Sequence, residues 1–172
     1  MPMKRIAVIG CVGSGKSHLA RELGKVLHAP VTHLDALYYD EEWNPQPQPA
    51  FEALQEELVS GDRWILDGNY NATLSIRLKA CDTVILMDVP TWAALWGLVS
   101  RQVKHGSGQD QTSGIYNRIH WGVLRYAATY RRKMRPEVLA KIEQHAGHAE
   151  IILLRGRRRT RRWLEQVAGR QR

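Results

Sequence analysis

Short apolar runs alternate with amphipathic stretches along almost the whole chain. RIAVIG (5–10) is of strand length and apolar after Arg5, reading as a buried strand, and Lys16 to Leu27 reads as the helix after it. VTHLDALYY (31–39) reads as a second strand that runs into a loop at Asp35. NPQPQP (44–49) is too rich in proline for a helix or a central strand, so it is an extended connector. Pro49 then opens a helix that turns Phe51, Leu54 and Leu58 toward the core. RWILDG (63–68) and DTVILMDVP (82–90) are two more short apolar strands, each with an aspartate at its end. Trp92, Leu95, Trp96, Val99 and Val103 follow at helical spacing, and HGSGQDQTSG (105–114) is a loop by composition. Another helix points Tyr116, Ile119, Val123, Ala127 and Tyr130 inward, with Pro136 expected to break or restart it. EIILL (150–154) is a fifth strand and TRRWLEQV (160–167) a last helix.

Strand followed by helix, repeated in this way, predicts an α/β fold: a five-stranded parallel sheet with helices on both faces. Ligands of such sheets sit at the carboxyl ends of the strands, where Gly10, Asp35, Asp67 and Asp88 fall. The 172 residues suit one domain, 1–172, and 44% hydrophobic content is ordinary for a globular chain. No apolar run reaches the length of a membrane span, and the run after Lys4 and Arg5 is too short for a signal peptide, so a soluble cytoplasmic protein is expected. Cys11 and Cys81 offer no metal-ligand spacing. The net charge of +8, carried mostly by arginine, anticipates an anionic ligand or polymer.

GCVGSGKS (10–17) narrows that choice, because it matches G-x-x-x-x-G-K-[ST] between a strand and a helix. Glycines in such a loop let successive backbone N–H groups point inward and form a nest for phosphate oxygens, and the helix adds its positive end. Gly10, Cys11, Val12, Gly13, Ser14, Gly15, Lys16, Ser17 and His18 are therefore assigned to nucleotide binding. Lys16 would reach the β- and γ-phosphates, and the Ser17 hydroxyl would hold Mg²⁺. Asp67, ending an apolar strand, either orients the same metal or caps the next turn. The expected cofactors are ATP and Mg²⁺.

GCVGSGKS, HLDALYY, LDGNY, LSIRL and ILMDVP occur in one order, and together they resemble the adenylate-kinase-like group of P-loop kinases. The likeness spans nearly the whole chain and is greatest to small proteins described as DNA topology modulation proteins, or adenylate-kinase-related kinases. It implies a P-loop NTPase fold of the nucleoside/nucleotide-kinase type with a short lid insertion, over residues 101–135. By the same resemblance Arg101 stands at a lid-arginine position, and Gly156, Arg157 and Arg158 lie near adenine. Asp35 sits where related small-molecule kinases bind the acceptor, which makes it a candidate to orient or deprotonate a hydroxyl; a turn cap is the other reading. The chain departs from the group at Asn71, where an arginine would hold an acceptor phosphate, and at Gly97, where a second lid arginine would stand.

The acceptor region, 36–62, holds seven acidic residues and no Lys, Arg or His, which would repel a nucleoside monophosphate. Glu52, Glu56 and Glu57 also read as the solvent face of one helix. A neutral or cationic hydroxyl or amine acceptor is expected, met by Asp35, Tyr38, Asp67, Gly68, Asn69 and Tyr70, with Trp43 and Tyr39 offering further contact and Arg77 the one anion contact. Arg118, Arg125 and Arg132 recur at intervals of seven opposite the core stripe, either solvated or closing over the phosphates, with Arg101 and Arg125 the catalytic candidates ahead of Arg131 and Arg132. RGRRRTRR (155–162) is a loop and a solvated helix, or a patch for nucleic acid. The functions in view are an ATP-dependent small-molecule kinase, a nucleoside monophosphate kinase, and a nucleotide-gated nucleic-acid binder.

Overall fold

The computed structural model describes residues 3–40, 44–105 and 121–170; the side chains of residues 101, 102, 104 and 105 fall outside it. Five strands form one all-parallel sheet in the order β2–β3–β1–β4–β5. They are β1 (Arg5–Gly10), β2 (Val31–His33), β3 (Trp64–Asp67), β4 (Thr83–Met87) and β5 (Glu150–Leu154). Residues alternate between the two faces of a strand, and β1 shows the result. Ile6 and Val8 pack with Leu19 and Leu23 of α1 (Lys16–Leu27) and Val167 of α7 (Arg157–Arg170). Ala7 and Ile9 pack on the other side with Leu74 and Leu78 of α4 (Leu74–Ala80) and Val138 and Ile142 of α6 (Trp121–His145). The register sets His33 beside Asp67 and Asp67 beside Val8, with Gly10 beside Met87. The strand ends that carry chemistry are thereby brought level.

Five local expectations change. The run 31–39 is not a strand ending in a loop: β2 stops at His33, and Leu34–Tyr38 forms the short helix α2, which carries Asp35. The ladder cannot continue because β3, its partner among the described residues, ends at Asp67, so the next residues close their own hydrogen bonds. Helix α3 (Gln48–Val59) buries Phe51 and Gln55, while Leu54 and Leu58 are only half-buried. Gln55 is satisfied there by donating to Thr73 Oγ1 at 2.7 Å. Pro136 does not interrupt α6; it lies on an exposed face, where the carbonyl it leaves unbonded can be hydrated.

The fourth concerns α5 (Thr91–His105). Its core side is Ala94 and Leu98, so the stripe of Trp92, Trp96, Val99 and Val103 faces outward. Helix α7 begins at Arg157, three residues before the expected start. Trp43, Glu41, Glu42, the 105–114 loop beyond His105, Tyr116, Arg118 and Ile119 lie outside the described residues. No helix among the described residues is long and apolar enough to cross a membrane.

Candidate functional site

The loop between β1 and α1 is built from backbone. Gly13 and Gly15 take φ of +78° and +91°, left-handed values that a Cβ disfavours, and Ser14 N–H donates to Cys11 O at 3.1 Å to close the turn. The loop is pressed against α5 with no side chain between them: a Cβ on Gly13 would stand 2.2 Å from Ala94 O, and one on Gly97 2.0 Å from Gly13 O. Gly97, at which an arginine seemed to be missing, is therefore a packing position that only glycine fits. Lys16 and Ser14 are buried, and the Ser14 hydroxyl has no hydrogen-bond partner. Open space lies over Gly15.

Asp67 sits beneath this loop, fully inside the protein. His33 Nδ1 is 2.8 Å from Asp67 Oδ2, and Oδ1 has no partner. Burial pushes the carboxyl pKa up, but the Lys16 ammonium, and after it His33 and the Ser17 hydroxyl, outweigh that and hold it below the usual carboxylate range. The group is thus an anion at neutral pH with one free oxygen, next to a serine hydroxyl. Hard oxygen donors of this kind suit Mg²⁺, which keeps most of its waters and needs only one or two protein ligands beside phosphate oxygens. Ser17 and Asp67 fit that role. No group of three or more potential His, Cys, Asp or Glu ligands occurs among the described residues, so a closed all-protein metal cage is not formed there.

On the β2 side, Tyr70 donates to Asp35 Oδ1 at 2.6 Å. Burial, then the charge of Asp35 and this hydrogen bond, raise the Tyr70 pKa far above its ordinary value, so the hydroxyl stays a donor. Tyr70, Tyr38 and Phe51 pack ring to ring, with centroids 4.8–4.9 Å apart. They form one apolar wall beside the Asp35 carboxylate. Gly68 is hemmed in by Leu34 and Tyr70, at 3.0 and 3.2 Å from where its Cβ would stand.

Two expected acceptor contacts turn inward instead. The Asn69 amide oxygen accepts from Gly10 N–H at 2.9 Å, and its nitrogen donates to the Tyr126 hydroxyl at 3.0 Å. It ties the 10–17 loop to α6. Arg77, expected as an anion contact, is fully buried and donates to the carbonyls of Gly68 and Asn69, at 2.6 Å each. It shapes the loop from behind by donating to both of those carbonyls. Its pKa is pulled down to about 10, since desolvation outweighs the support of Asp67. Asn71 is likewise held, donating to Glu137 of α6 at 2.7 Å.

Two cavities open at the carboxyl ends of β4 and β5. One, of about 510 Å³, is bordered by Ser14, Gly15, His18, Arg157 and Thr160, next to the phosphate loop. The other, of about 550 Å³, lies over Asp88 and is bordered by Trp92, Trp96 and Gly156 to Arg158. Asp88 is buried and takes Arg135 through two hydrogen bonds of 3.0 and 2.9 Å. Arg125 is exposed on α6, while the Arg101 side chain lies outside the described residues. Arg135, Asn69 as a loop anchor, and His33 as the partner of Asp67 were missed in their present roles. Arg135 was legible in principle, one helical turn beyond Arg131 on the same face. Cys11 is buried, and burial lifts its thiol pKa to about 11 despite Lys16.

The sequence matches no protein-family model and no curated protein. Solved structures do match. A shikimate kinase from Acinetobacter baumannii in complex with shikimate superposes with a TM-score of 0.57 at 16% identity, covering 96% of this chain and 91% of that one. An unliganded sugar kinase from Janibacter sp. superposes with a TM-score of 0.55 at 16% identity, covering 98% of this chain and 92% of that one. At this identity the likeness establishes architecture alone: the chain shares the fold of these two structures, here a five-stranded all-parallel sheet with helices on both faces.

Proposed function

We propose that the protein transfers the γ-phosphoryl group of MgATP to a hydroxyl or amine of a small acceptor that carries little negative charge. The observation that carries this reading is a phosphate loop with two buried oxygens left without partners beside it, Ser14 Oγ and Asp67 Oδ1. Buried polar atoms are rarely left unpaired, and a nucleotide phosphate with its metal satisfies both. Bound MgATP would supply the phosphoryl group, with the metal offsetting charge on the β- and γ-phosphates. Lys16 and the loop amides hold those phosphates, Ser17 and Asp67 hold the metal, and His33 fixes the Asp67 carboxylate. Asp35, steadied by Tyr70 through one oxygen, keeps its other oxygen for an acceptor hydroxyl or ammonium. Tyr38 supplies the apolar contact. Arg101 and Arg125, in the 101–135 lid region, close over the phosphates.

The acceptor side favours weakly charged molecules. Of the cations a nucleoside monophosphate would need, Arg77 is committed to carbonyls and position 71 is an asparagine held by Glu137. The shikimate and sugar kinases of like fold support a small-molecule acceptor. Nucleoside monophosphate kinase activity and nucleotide-gated nucleic-acid binding are the alternative readings. The test is transfer of γ-labelled phosphate from MgATP across a panel of polyols, amino-alcohols, nucleosides and nucleoside monophosphates. Transfer to a neutral or cationic acceptor, lost in Asp35→Asn, is the expected result. Rapid turnover of AMP or CMP overturns it.

A further inference from the structure

The cavity over Asp88 is bordered by Gly156, Arg157 and Arg158, which the resemblance set near the donor's adenine, yet it opens away from the 10–17 loop and its walls carry opposite characters. One wall is α5, with Trp92 and Trp96 72% and 63% exposed, one helical turn apart. Side chains of that size are costly to leave in water, and here both border a cavity of about 550 Å³. The other wall is arginine: Arg131 and Arg135 from α6, and Arg155, Arg157 and Arg158 from the turn into α7. Asp88 is the one acid bordering the cavity among the described residues. Its two oxygens are taken by Arg135, leaving Arg131 and Arg155 at 3.8 and 4.0 Å. One carboxylate cannot neutralise five guanidiniums. The first turn of α7 makes the imbalance worse, because it holds arginines and no acid at the end of a helix that favours negative charge.

We propose that this cavity is a second ligand site, taking a nucleoside phosphate whose base lies on Trp92 and Trp96 and whose phosphates meet Arg131, Arg155 and Arg158. The volume falls in the range of small-molecule sites. Tryptophan faces accept a planar base, and guanidinium forks fit phosphate oxygens in pairs. The site is separate from the phosphate loop. Arg157 borders both cavities and its guanidinium lies against Gly97, dividing one from the other. Its occupant therefore sits beside the donor nucleotide, across Arg157, and does not occupy the acceptor side at Asp35.

Equilibrium dialysis with radiolabelled ADP and Mg²⁺ counts the sites. Wild type is expected to bind two ADP per chain, and Lys16→Ala to keep the second while losing or weakening the first. Trp92→Ala combined with Trp96→Ala should weaken only the second, roughly tenfold to hundredfold per lost ring. Arg155→Gln, at an exposed position, should weaken the same equivalent; circular dichroism confirms that each variant is folded. One ADP per chain in wild type overturns the proposal, and so does a second ADP that is indifferent to the tryptophans. One ADP lost in both the Lys16 and the tryptophan variants makes the cavity the base half of a single site, which also overturns it. A single-stranded oligonucleotide bound through the tryptophans, with no second ADP, overturns it in favour of a nucleic-acid surface. None of these outcomes depends on whether phosphoryl transfer is observed.

Discussion

Gly97→Ala tests the close contact between α5 and the 10–17 loop. The added Cβ would stand 2.0 Å from Gly13 O, and real Cβ contacts essentially never fall below 3.0 Å, so α5 and the loop must part by about 1 Å. Neither side can yield by a rotamer change, because the opposing atoms are backbone. Overpacking of this kind costs about 3 kcal/mol at the upper end of its usual range, and alanine returns about 1 kcal/mol through helix propensity. The net is a loss of about 2 kcal/mol, or roughly 4–8 °C in Tm for a chain of this size. Displacement by about 1 Å of groups that must align on a phosphate also weakens activity by about a hundredfold. Thermal unfolding and ATP titration measure both effects. Gly169→Ala is the control, since it lies in α7 with nothing within 4 Å of the new Cβ and should be neutral or slightly stabilising. A Gly97→Ala protein with wild-type Tm and ATP affinity would refute the packing of α5 on the loop.

Arg77→Met separates a structural arginine from an acceptor contact. Removing it strands the carbonyls of Gly68 and Asn69 and should cost about 3 kcal/mol, read as a fall of roughly 6–12 °C in Tm; an unchanged Tm with a raised acceptor KM would restore the anion-contact reading. The folded pKa of Asp67 lies below its unfolded value of about 3.9. Its ionic partners therefore contribute stability that is complete above that value and lost as pH falls through the folded pKa. Urea unfolding of wild type and Asp67→Asn should show a gap that is constant near neutrality and narrows in acid, whereas a gap that widens in acid contradicts the assignment. Cys11, with a thiol pKa pushed up to about 11, should react with iodoacetamide at pH 8 about a hundredfold more slowly than an unburied thiol. Fast labelling in the folded protein would rule out its burial.

The strands were legible because parallel strands buried on both faces read as continuous apolar runs, and the tight turn at 10–17 because its glycines are dictated by local backbone geometry. Asp67 was legible as a strand end for the same reason, lying at the end of such a run. What the sequence concealed depended on distant partners. Residues 31–39 carry a strand pattern, yet β2 ends where β3 ends, and Asp35 is presented from a helix instead. Arg77 looks like an anion ligand until the loop that follows β3 wraps its carbonyls around it. Gly97 looks like a missing arginine until α5 meets Gly13. The tryptophan stripe of α5 has the spacing of a core face, but the smaller Ala94 and Leu98 allow the close approach to the phosphate loop. Periodicity marks a helix and does not say which of two apolar faces is inside.

The central claim is that one end of the sheet holds the phosphoryl donor at Lys16 and the acceptor at Asp35, as separable functions. The most direct test measures ATP affinity and γ-phosphoryl transfer together in wild type, Lys16→Ala and Asp35→Asn, using the best acceptor from the panel. The account predicts that Lys16→Ala loses both. Asp35→Asn should keep ATP affinity within about threefold and lose kcat by roughly a hundredfold or more. Loss of ATP affinity in Asp35→Asn equal to its loss of turnover would contradict the account, as would a wild-type protein that binds MgATP and transfers phosphate to no acceptor.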